Sequence, residues 1–174
     1  LSFINAPDYE SDASSYSLSI TVTDGKFSDS QDIEVFLKNL NDNSPVFTTP
    51  TSFNINENET TLTTIKATDA DGNPVSFEVT GPDLSISSDG ILSFIVAPDY
   101  ETKSSYSATL TARDSANDGS NFTTQDITIS VNNLNDNSPV ITSSSSFSVD
   151  ENQTAITTIT AVDADGDSII YSVS

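Results

Sequence analysis

The sequence contains no cysteine, no tryptophan and no histidine, and its 174 residues include only 5 basic against 26 acidic side chains. Without cysteine no disulfide can hold the fold, so we expect another stabilising device, such as an ion that binds only the folded state. The net charge of −21 excludes nucleic acid as a partner, because phosphate binding requires clustered lysine and arginine. An anionic membrane surface is unsuitable for the same reason.

The sequence also lacks an apolar run long enough to span a membrane, and it opens on Leu1 rather than on methionine. It shows no signal peptide. We therefore expect a piece of a longer protein, with its secretion and anchoring signals outside these residues and no direct membrane insertion by the piece itself.

What the sequence does contain is a repeat: the stretch at residues 39–47 returns almost unchanged at residues 133–141. Each copy follows an alternating apolar run and carries Asn-Asp-Asn-Ser-Pro, in which the proline ends the preceding strand because it has no N–H to give to a ladder. We predict three parts: residues 1–46 as the C-terminal half of one repeat, residues 47–140 as a complete repeat, and residues 141–174 as the N-terminal half of a third.

The apolar pattern around these linkers predicts strands and no helix. Residues 16–22 alternate apolar and polar side chains, and residues 106–112 do so in register with them. Residues 1–5 match residues 92–96 and predict a further strand in each copy. The first part then supplies strands five to seven of a repeat, and the last part roughly strands one to three. Short strands with turns about every 8–12 residues predict an all-β sandwich.

Two local irregularities stand out within this pattern. The spacing of apolar residues slips by one between Leu62 and Ile65, which predicts a β-bulge. The loop that follows Asp114 is longer than the corresponding loop after Asp24, so we expect the two copies to differ there.

Short acidic motifs recur at equivalent places. Asp-Tyr-Glu occurs at residues 8–10 and 99–101, Asp-Ala-Asp at residues 69–71 and 163–165, and a first-strand glutamate at Glu57 and Glu151. Carboxylate and amide oxygens are the ligands that calcium prefers. Any one motif could instead make only a turn, but the recurrence of the full set favours cation binding. An EF-hand is excluded because its loop needs glycine in sixth place, and the 6 glycines exclude a glycine-rich β-roll.

Together these motifs resemble the cadherin repeat family, with its Asn-Asp-Asn-x-Pro linker, Asp-x-Glu and Asp-x-Asp motifs and first-strand glutamate. The resemblance covers the whole chain. It implies tandem Greek-key, seven-stranded, immunoglobulin-like β-sandwich repeats with calcium-binding linkers, and about three Ca²⁺ at each intact junction. The near-identical copies, the absence of tryptophan and the short loop after Asp-x-Asp are most similar to the arrays of large bacterial cell-surface adhesins.

The resemblance also implies that neighbouring repeats share each calcium cluster. At the first linker the implied ligands are the side chains of Asp8, Glu10, Asn41, Asp42, Asp69, Asp71 and Asp114, with the carbonyls of Leu40 and Asn43. At the second they are the side chains of Glu57, Asp99, Glu101, Asn135, Asp136, Asp163 and Asp165, with the carbonyls of Leu134 and Asn137. Asn39 and Asn133 stand where many family members have aspartate, and we expect this to weaken the linker sites slightly.

These implications predict an extracellular, calcium-rigidified module of a cell-surface protein that acts in adhesion or as a spacer. Its expected partners are calcium, neighbouring repeats, and either like repeats on another cell or a surface glycan. The alternative is a carbohydrate-binding module of a secreted enzyme or adhesin, although such sites usually present tryptophan, which this chain lacks. An enzyme is not expected: Asp8 and Glu10 could be read as a glycosidase pair, but the acids already have a metal role and there is no histidine or cysteine.

Overall fold

A computed structural model of the protein describes residues 1–114 and 121–173. The regular elements in these residues are β-strands, which confirms the all-β prediction, and none of the described residues forms a helix long and apolar enough to cross a membrane. The longer loop predicted after Asp114 falls at residues 115–120, outside the described residues. In chain order the strands are β1 (Ser15–Thr23), β2 (Ser28–Phe36), β3 (Val46–Phe47), β4 (Ser52–Asn56), β5 (Thr61–Thr64), β6 (Ala67–Thr68), β7 (Val75–Val79), β8 (Leu84–Ile86), β9 (Ile91–Phe94), β10 (Ser105–Asp114), β11 (Phe122–Asn132), β12 (Val140–Ile141) and β13 (Ala161–Val162).

The strands between the two linkers form a four-stranded sheet, in the order β4-β11-β10-β7, and a three-stranded sheet, in the order β5-β9-β8. β4 runs parallel to β11, with Phe53 opposite Ile129 and Ile55 opposite Val131. Alternate residues of these strands are apolar and buried, as a sheet with one covered face requires. The fully buried apolar side chains of these two sheets are Ile55, Leu84, Leu92, Phe94, Leu110, Ala112, Ile127, Ile129 and Val131.

The predicted bulge is present in β5. The register of β5 against β9 shifts between Thr61 and Thr63, at the position of Leu62. The extra residue lets Ile65, further along the chain, reach a buried position with 2% of its surface exposed.

By its contacts the chain divides into two compact units. One consists of Leu1–Thr49, Ile65–Glu78 and Leu110–Gln125; the other consists of Pro50–Thr64, Val79–Thr109 and Asp126–Ser174. Each unit contains one Asn-Asp-Asn linker together with the acidic motifs assigned to that linker. The boundaries after residues 46 and 140 divide the chain by its sequence repeat instead, and they stay a prediction.

In the first unit, β1 and β2 form an antiparallel hairpin that pairs Tyr16 with Val35 and Leu18 with Ile33. The strand predicted at residues 16–22 is therefore confirmed. Its turn is closed by Asp24, whose Oδ1 accepts the backbone N–H of Lys26 at 2.8 Å and of Phe27 at 2.7 Å. The hydrogen bonds from the backbone N–H groups of Phe27 and Lys26 lower the pKa of Asp24. The turn itself therefore supplies this carboxylate with hydrogen-bond donors.

Two strand predictions at the chain ends are wrong. Residues 1–5 are not a strand, and residues 142–160 and 163–173 form none. The matched strand β9 pairs with β5 and β8, and residues 1–46 contain no counterpart of either. Likewise β4 pairs with β11, and residues 141–174 contain no counterpart of β11. A strand needs a partner for its backbone groups, so these segments do not form strands alone.

Candidate metal centres

At the first linker, local turns present the acids. Asp69 begins a tight turn after β6, in which its Oδ1 accepts the backbone N–H of Asp71 at 3.0 Å and its carbonyl accepts that of Gly72 at 3.3 Å. Gly72 has φ +80°, a conformation that glycine adopts without strain. The Asp-x-Asp-Gly sequence thus forms its turn through hydrogen bonds of its own backbone and of the Asp69 side chain.

Three carboxylates from separate segments converge on this linker. One oxygen each of Glu10, Asp42 and Asp71 lies within 4.8 Å of the other two. Burial raises the pKa of Glu10 to about 7, helped by the neighbouring carboxyl groups of Asp8 and Asp71. Like charges this close repel, so the cluster needs a proton or a cation.

Buried polar atoms at the same linker have no hydrogen-bond partner among the described residues. They are Oε1 of Glu10, Oδ2 of Asp69 and both side-chain polar atoms of Asn41. A buried polar atom without a partner costs about 1–3 kcal/mol, so natural folds rarely leave one unexplained. Oxygen atoms of carboxylates and amides are suited to a hard divalent cation, and a bound cation would satisfy them.

The remaining predicted ligands of the first linker lie outside the three-carboxylate group. Asp8 accepts the hydroxyl of Ser11 at 2.9 Å and the backbone N–H of Glu10 at 3.0 Å, and these bonds lower the pKa of Asp8. Asp114 is 2% exposed, and its Oδ2 accepts Nδ2 of Asn73 at 3.4 Å. The roles predicted for the carbonyls of Leu40 and Asn43 remain predictions.

At the second linker four carboxylates converge. One oxygen each of Glu57, Glu101, Asp136 and Asp165 lies within 4.8 Å of the other three. Burial raises the pKa of Glu101, and the negative charges of Glu57, Asp165 and Asp99 raise it further. The first-strand glutamate therefore joins the Asp-x-Glu, linker and Asp-x-Asp motifs, as the resemblance implied.

Glu57 is the most buried acid of this cluster, with 1% of its surface exposed. Its Oε2 accepts the backbone N–H of Tyr100 at 2.8 Å, and its Oε1 accepts that of Leu134 at 2.6 Å. One carboxylate thus ties the Asp-x-Glu turn to the start of the linker. These charge-assisted bonds explain how a carboxylate is tolerated in the interior.

The two linkers make the same pair of hydrogen bonds to the second aspartate of Asp-x-Asp. At the first, the backbone N–H of Asn43 donates to Oδ2 of Asp71 at 2.8 Å and its Nδ2 donates to Oδ1 at 3.0 Å. At the second, Asn137 makes the same two bonds to Asp165 at 2.8 and 2.9 Å. Although desolvation opposes it at Asp71, these bonds lower the pKa of both aspartates.

Asp99, Asn135 and Asp163 are not part of the four-carboxylate group, although Asp163 belongs to a second group that shares Asp165 with it. Asp99 accepts the hydroxyl and the backbone N–H of Thr102 at 2.9 and 3.2 Å. Asp163 forms a group with Asp165 and Asp167, in which their carboxylate oxygens lie within 4.8 Å of one another. The ligand role of the Leu134 carbonyl stays a prediction.

Sequence reasoning missed two residues of the second site. Asp167 follows Asp-Ala-Asp-Gly where the first copy has Asn73, so an extra acid directly after the motif was an available signal. Asn58 has φ +67° and donates from Nδ2 to Oδ2 of Asp136. Its signal was weaker, because an asparagine after the first-strand glutamate is common in turns.

No protein-family model matches the chain, but comparisons with known proteins find similar sequences and structures. The chain is 36% identical over 167 residues to the Fat-like cadherin-related tumor suppressor homolog of Drosophila melanogaster, a match that covers 86% of this chain and 3% of that protein. It is 34% identical over 110 residues to chitinase A of Pseudoalteromonas piscicida, covering 62% of this chain and 13% of the chitinase.

Among solved structures, a protocadherin gammaB7 EC3-6 cis-dimer is similar to this chain with a TM-score of 0.75 and 28% sequence identity, covering 90% of this chain and 45% of that one. The chain spans 3% and 13% of the length of the two curated relatives and less than half of the chain in that solved structure. The chitinase match concerns one segment of that enzyme rather than the enzyme as a whole.

Proposed function

The chain belongs to the cadherin repeat family, and from that premise we propose that its two linkers bind calcium and that the bound ions stiffen an extracellular adhesion or spacer module. One observation carries the proposal. At each linker, carboxylates from segments far apart in sequence meet within 4.8 Å. At the first linker, buried carboxylate oxygens of Glu10 and Asp69 also lack any partner among the described residues.

At the first linker, Glu10, Asp42 and Asp71 would hold the cation, with Asp69 and Asn41 offering their unpartnered oxygens. Asp8 and Asp114 complete the proposed ligand set. Calcium would supply the positive charge that lets these acids lie together at neutral pH. The chain's own contribution is to hold three segments, the Asp-x-Glu turn, the linker and the Asp-x-Asp turn, in one place.

At the second linker the central residues are Glu57, Glu101, Asp136 and Asp165. Asp163 and Asp167 extend this acidic surface, and Asp99 and Asn135 complete the proposed set. A bound metal would connect the linker to the Asp-x-Glu and Asp-x-Asp turns. Motion of the linker would then have to break metal–oxygen contacts. The family resemblance leads us to expect about three calcium ions at an intact junction.

We further propose that the protein containing this chain acts at the cell surface, where neighbouring repeats and like repeats on another cell are its partners. The narrower resemblance to bacterial surface adhesins stays a prediction. A carbohydrate-binding role is not proposed, because both sites are acidic metal-type clusters and the chain has no tryptophan. The match to 13% of a chitinase carries no enzyme activity to this chain.

Thermal unfolding with millimolar calcium and with a chelator tests the proposal. Extracellular calcium modules bind with Kd of about 10⁻⁴–10⁻³ M, so 10 mM calcium is ~10–100 times the Kd and one site adds about 1.4–2.7 kcal/mol to the free energy of unfolding. We expect a clear rise of the midpoint with calcium and a much smaller one with magnesium. The double variant Asp42→Ala, Asp136→Ala is the matched control and should lose the response. An unchanged wild-type midpoint would refute calcium binding.

A further inference from the structure

Asn39 and Asn133 make the same contact at the two linkers. Nδ2 of Asn39 donates to the backbone carbonyl of Asp71 at 3.0 Å, and Nδ2 of Asn133 donates to the backbone carbonyl of Asp165 at 2.9 Å. In both cases the partner is 32 residues further along the chain. The contact thus occurs twice, in two compact units, which argues against an accident of side-chain placement.

This contact differs in kind from the other bonds to the same aspartates. Asn43 and Asn137 donate to carboxylate oxygens, which are the atoms that a cation would use. Those bonds and a metal therefore compete for the same oxygens. The bond from Asn39 or Asn133 ends on a backbone carbonyl instead, so it can persist whether or not a metal is bound.

Attractive contacts of this kind matter because the linkers are otherwise repulsive. The ion pairs found among the described residues, Lys103 with Asp83 and Arg113 with Glu78, do not involve linker residues. Neutral hydrogen-bond donors are therefore what holds the carboxylate clusters together before a cation arrives. An aspartate at position 39 or 133 could not donate this bond and would add a further negative charge.

We propose that Asn39 and Asn133 are positioning residues that fasten each linker to the following Asp-x-Asp turn independently of the metal. They orient Asp71 and Asp165 toward the site, so that less ordering remains to be done when calcium binds. Asparagine at these positions then supplies a hydrogen-bond donor that aspartate could not supply. The effect on calcium affinity rests on the proposed function, whereas the metal-independent contact does not.

The first test follows hydrogen exchange of the peptides around Asp71 and Asp165 in chelator, in the full 174-residue chain. Asn39→Ala and Asn39→Asp should speed exchange around Asp71 about threefold to tenfold, as expected for one lost hydrogen bond. Exchange around Asp165 should not change, so the second linker is an internal control. Asn133→Ala and Asn133→Asp should give the reverse pattern. Unchanged exchange in both alanine variants would overturn the proposal.

The second test measures cation affinity with terbium, whose luminescence Tyr9 and Tyr100 can sensitise from within the Asp-Tyr-Glu motifs. In an Asp136→Ala background, which disables the second linker, the signal reports the first linker. Asn39→Ala should weaken terbium binding severalfold while leaving the thermal midpoint in chelator nearly unchanged, a split that a general loss of stability would not give.

Asn39→Ala decides between a positioning residue and a weakened ligand, because alanine removes the donor without adding a charge to a repulsive cluster. A weakened ligand predicts normal exchange in chelator for this variant, whereas a positioning role predicts faster exchange. Normal exchange would overturn the proposal. If no chain binds any cation, the proposed function fails, but the exchange measurements still decide whether the asparagine contact exists.

Discussion

Glu10 shows how burial and neighbouring carboxyl groups together act on a carboxyl group. Its pKa is raised to about 7, and burial likewise raises that of Glu101. A carboxyl group whose pKa is higher in the folded than in the unfolded state stabilises the fold while it is protonated. That contribution is complete below a pH of about 4.5 and is lost as the pH rises through about 7.

We therefore expect the metal-free protein to become less stable between pH 5 and pH 8. The aspartates with lowered pKa values do not oppose this, because above about pH 5 they are ionised in both states, and the chain has no histidine to titrate there. With saturating calcium the sign should reverse, since the metal binds the deprotonated acids. Thermal unfolding in chelator and in calcium at several pH values checks both slopes. A flat profile in chelator would contradict the raised pKa of Glu10.

Asp42 and Asp136 are the acids of the two linkers themselves, and each lies inside its own carboxylate cluster. We expect Asp42→Ala to weaken cation binding at the first linker about tenfold or more, because ligand charge sets the affinity of calcium sites. Asp136→Ala should do the same at the second linker only. Terbium titration of each single variant separates the two, because the unaltered linker keeps its wild-type affinity. If Asn39→Ala lowers the cation affinity as much as Asp42→Ala does, the prediction that Asp42 matters more than Asn39 is wrong.

The acids of these clusters could be predicted from the sequence because the motif repeats and because carboxylates have few other reasons to recur in pairs. The supporting amides could not be predicted in the same way. Asparagine at positions 39 and 133 is expected from the sequence only to weaken the linker sites slightly, whereas both side chains donate to backbone carbonyls. A backbone acceptor leaves no trace in the sequence, so only the folded chain reveals it.

At the scale of strands, alternation predicted β1 and β10 well because each has a paired neighbour. The same reasoning failed at residues 1–5, which match β9 in sequence but have neither of its partners. Sequence pattern reports the preference of a segment, whereas a strand also requires hydrogen bonds from another segment. The bulge in β5 was predictable because it shifts the apolar spacing itself.

The Asp-x-Asp turn depends on the glycine that closes it. Gly72 has φ +80°, and a Cβ added there would meet no atom within 4 Å, so a substitution is opposed by backbone conformation rather than by crowding. We expect Gly72→Ala to lower the free energy of unfolding by about 1–2 kcal/mol. Gly72→Asn should cost much less, because asparagine tolerates this conformation. Chemical denaturation in chelator measures both, and equal losses would contradict a purely conformational cause.

At the scale of the whole molecule, the two-stranded β1–β2 sheet has open edges that its counterpart does not. In the complete repeat, β11 is flanked by β4 and β10 by β7. By the sequence repeat, β2 corresponds to β11 and β1 to β10, while residues 146–150 correspond to β4 and residues 169–173 to β7. The missing edge strands of the first part are thus present, unpaired, in the last part of another copy.

We therefore predict that this chain, produced alone, associates head to tail. Val22 and Leu1 in the first part of the sequence are 63% and 88% exposed, and Ile156 and Ile170 in the last part are 68% and 93% exposed. Exposed edges and apolar residues seek partners, and a contact between unlike ends propagates rather than closes. No counterpart of β8 is available, so the repair is incomplete and aggregation is the expected end point.

Light scattering over a hundredfold range of concentration checks this prediction. Calcium should promote association, because it reduces the repulsion between chains of net charge −21. The double variant Val149→Asp, Tyr171→Asp places charges where the counterparts of β4 and β7 would pack, and it should remain monomeric while keeping its calcium response. A wild-type chain that is monomeric at every concentration would contradict the prediction, because the first and last parts of the sequence would then not associate between chains.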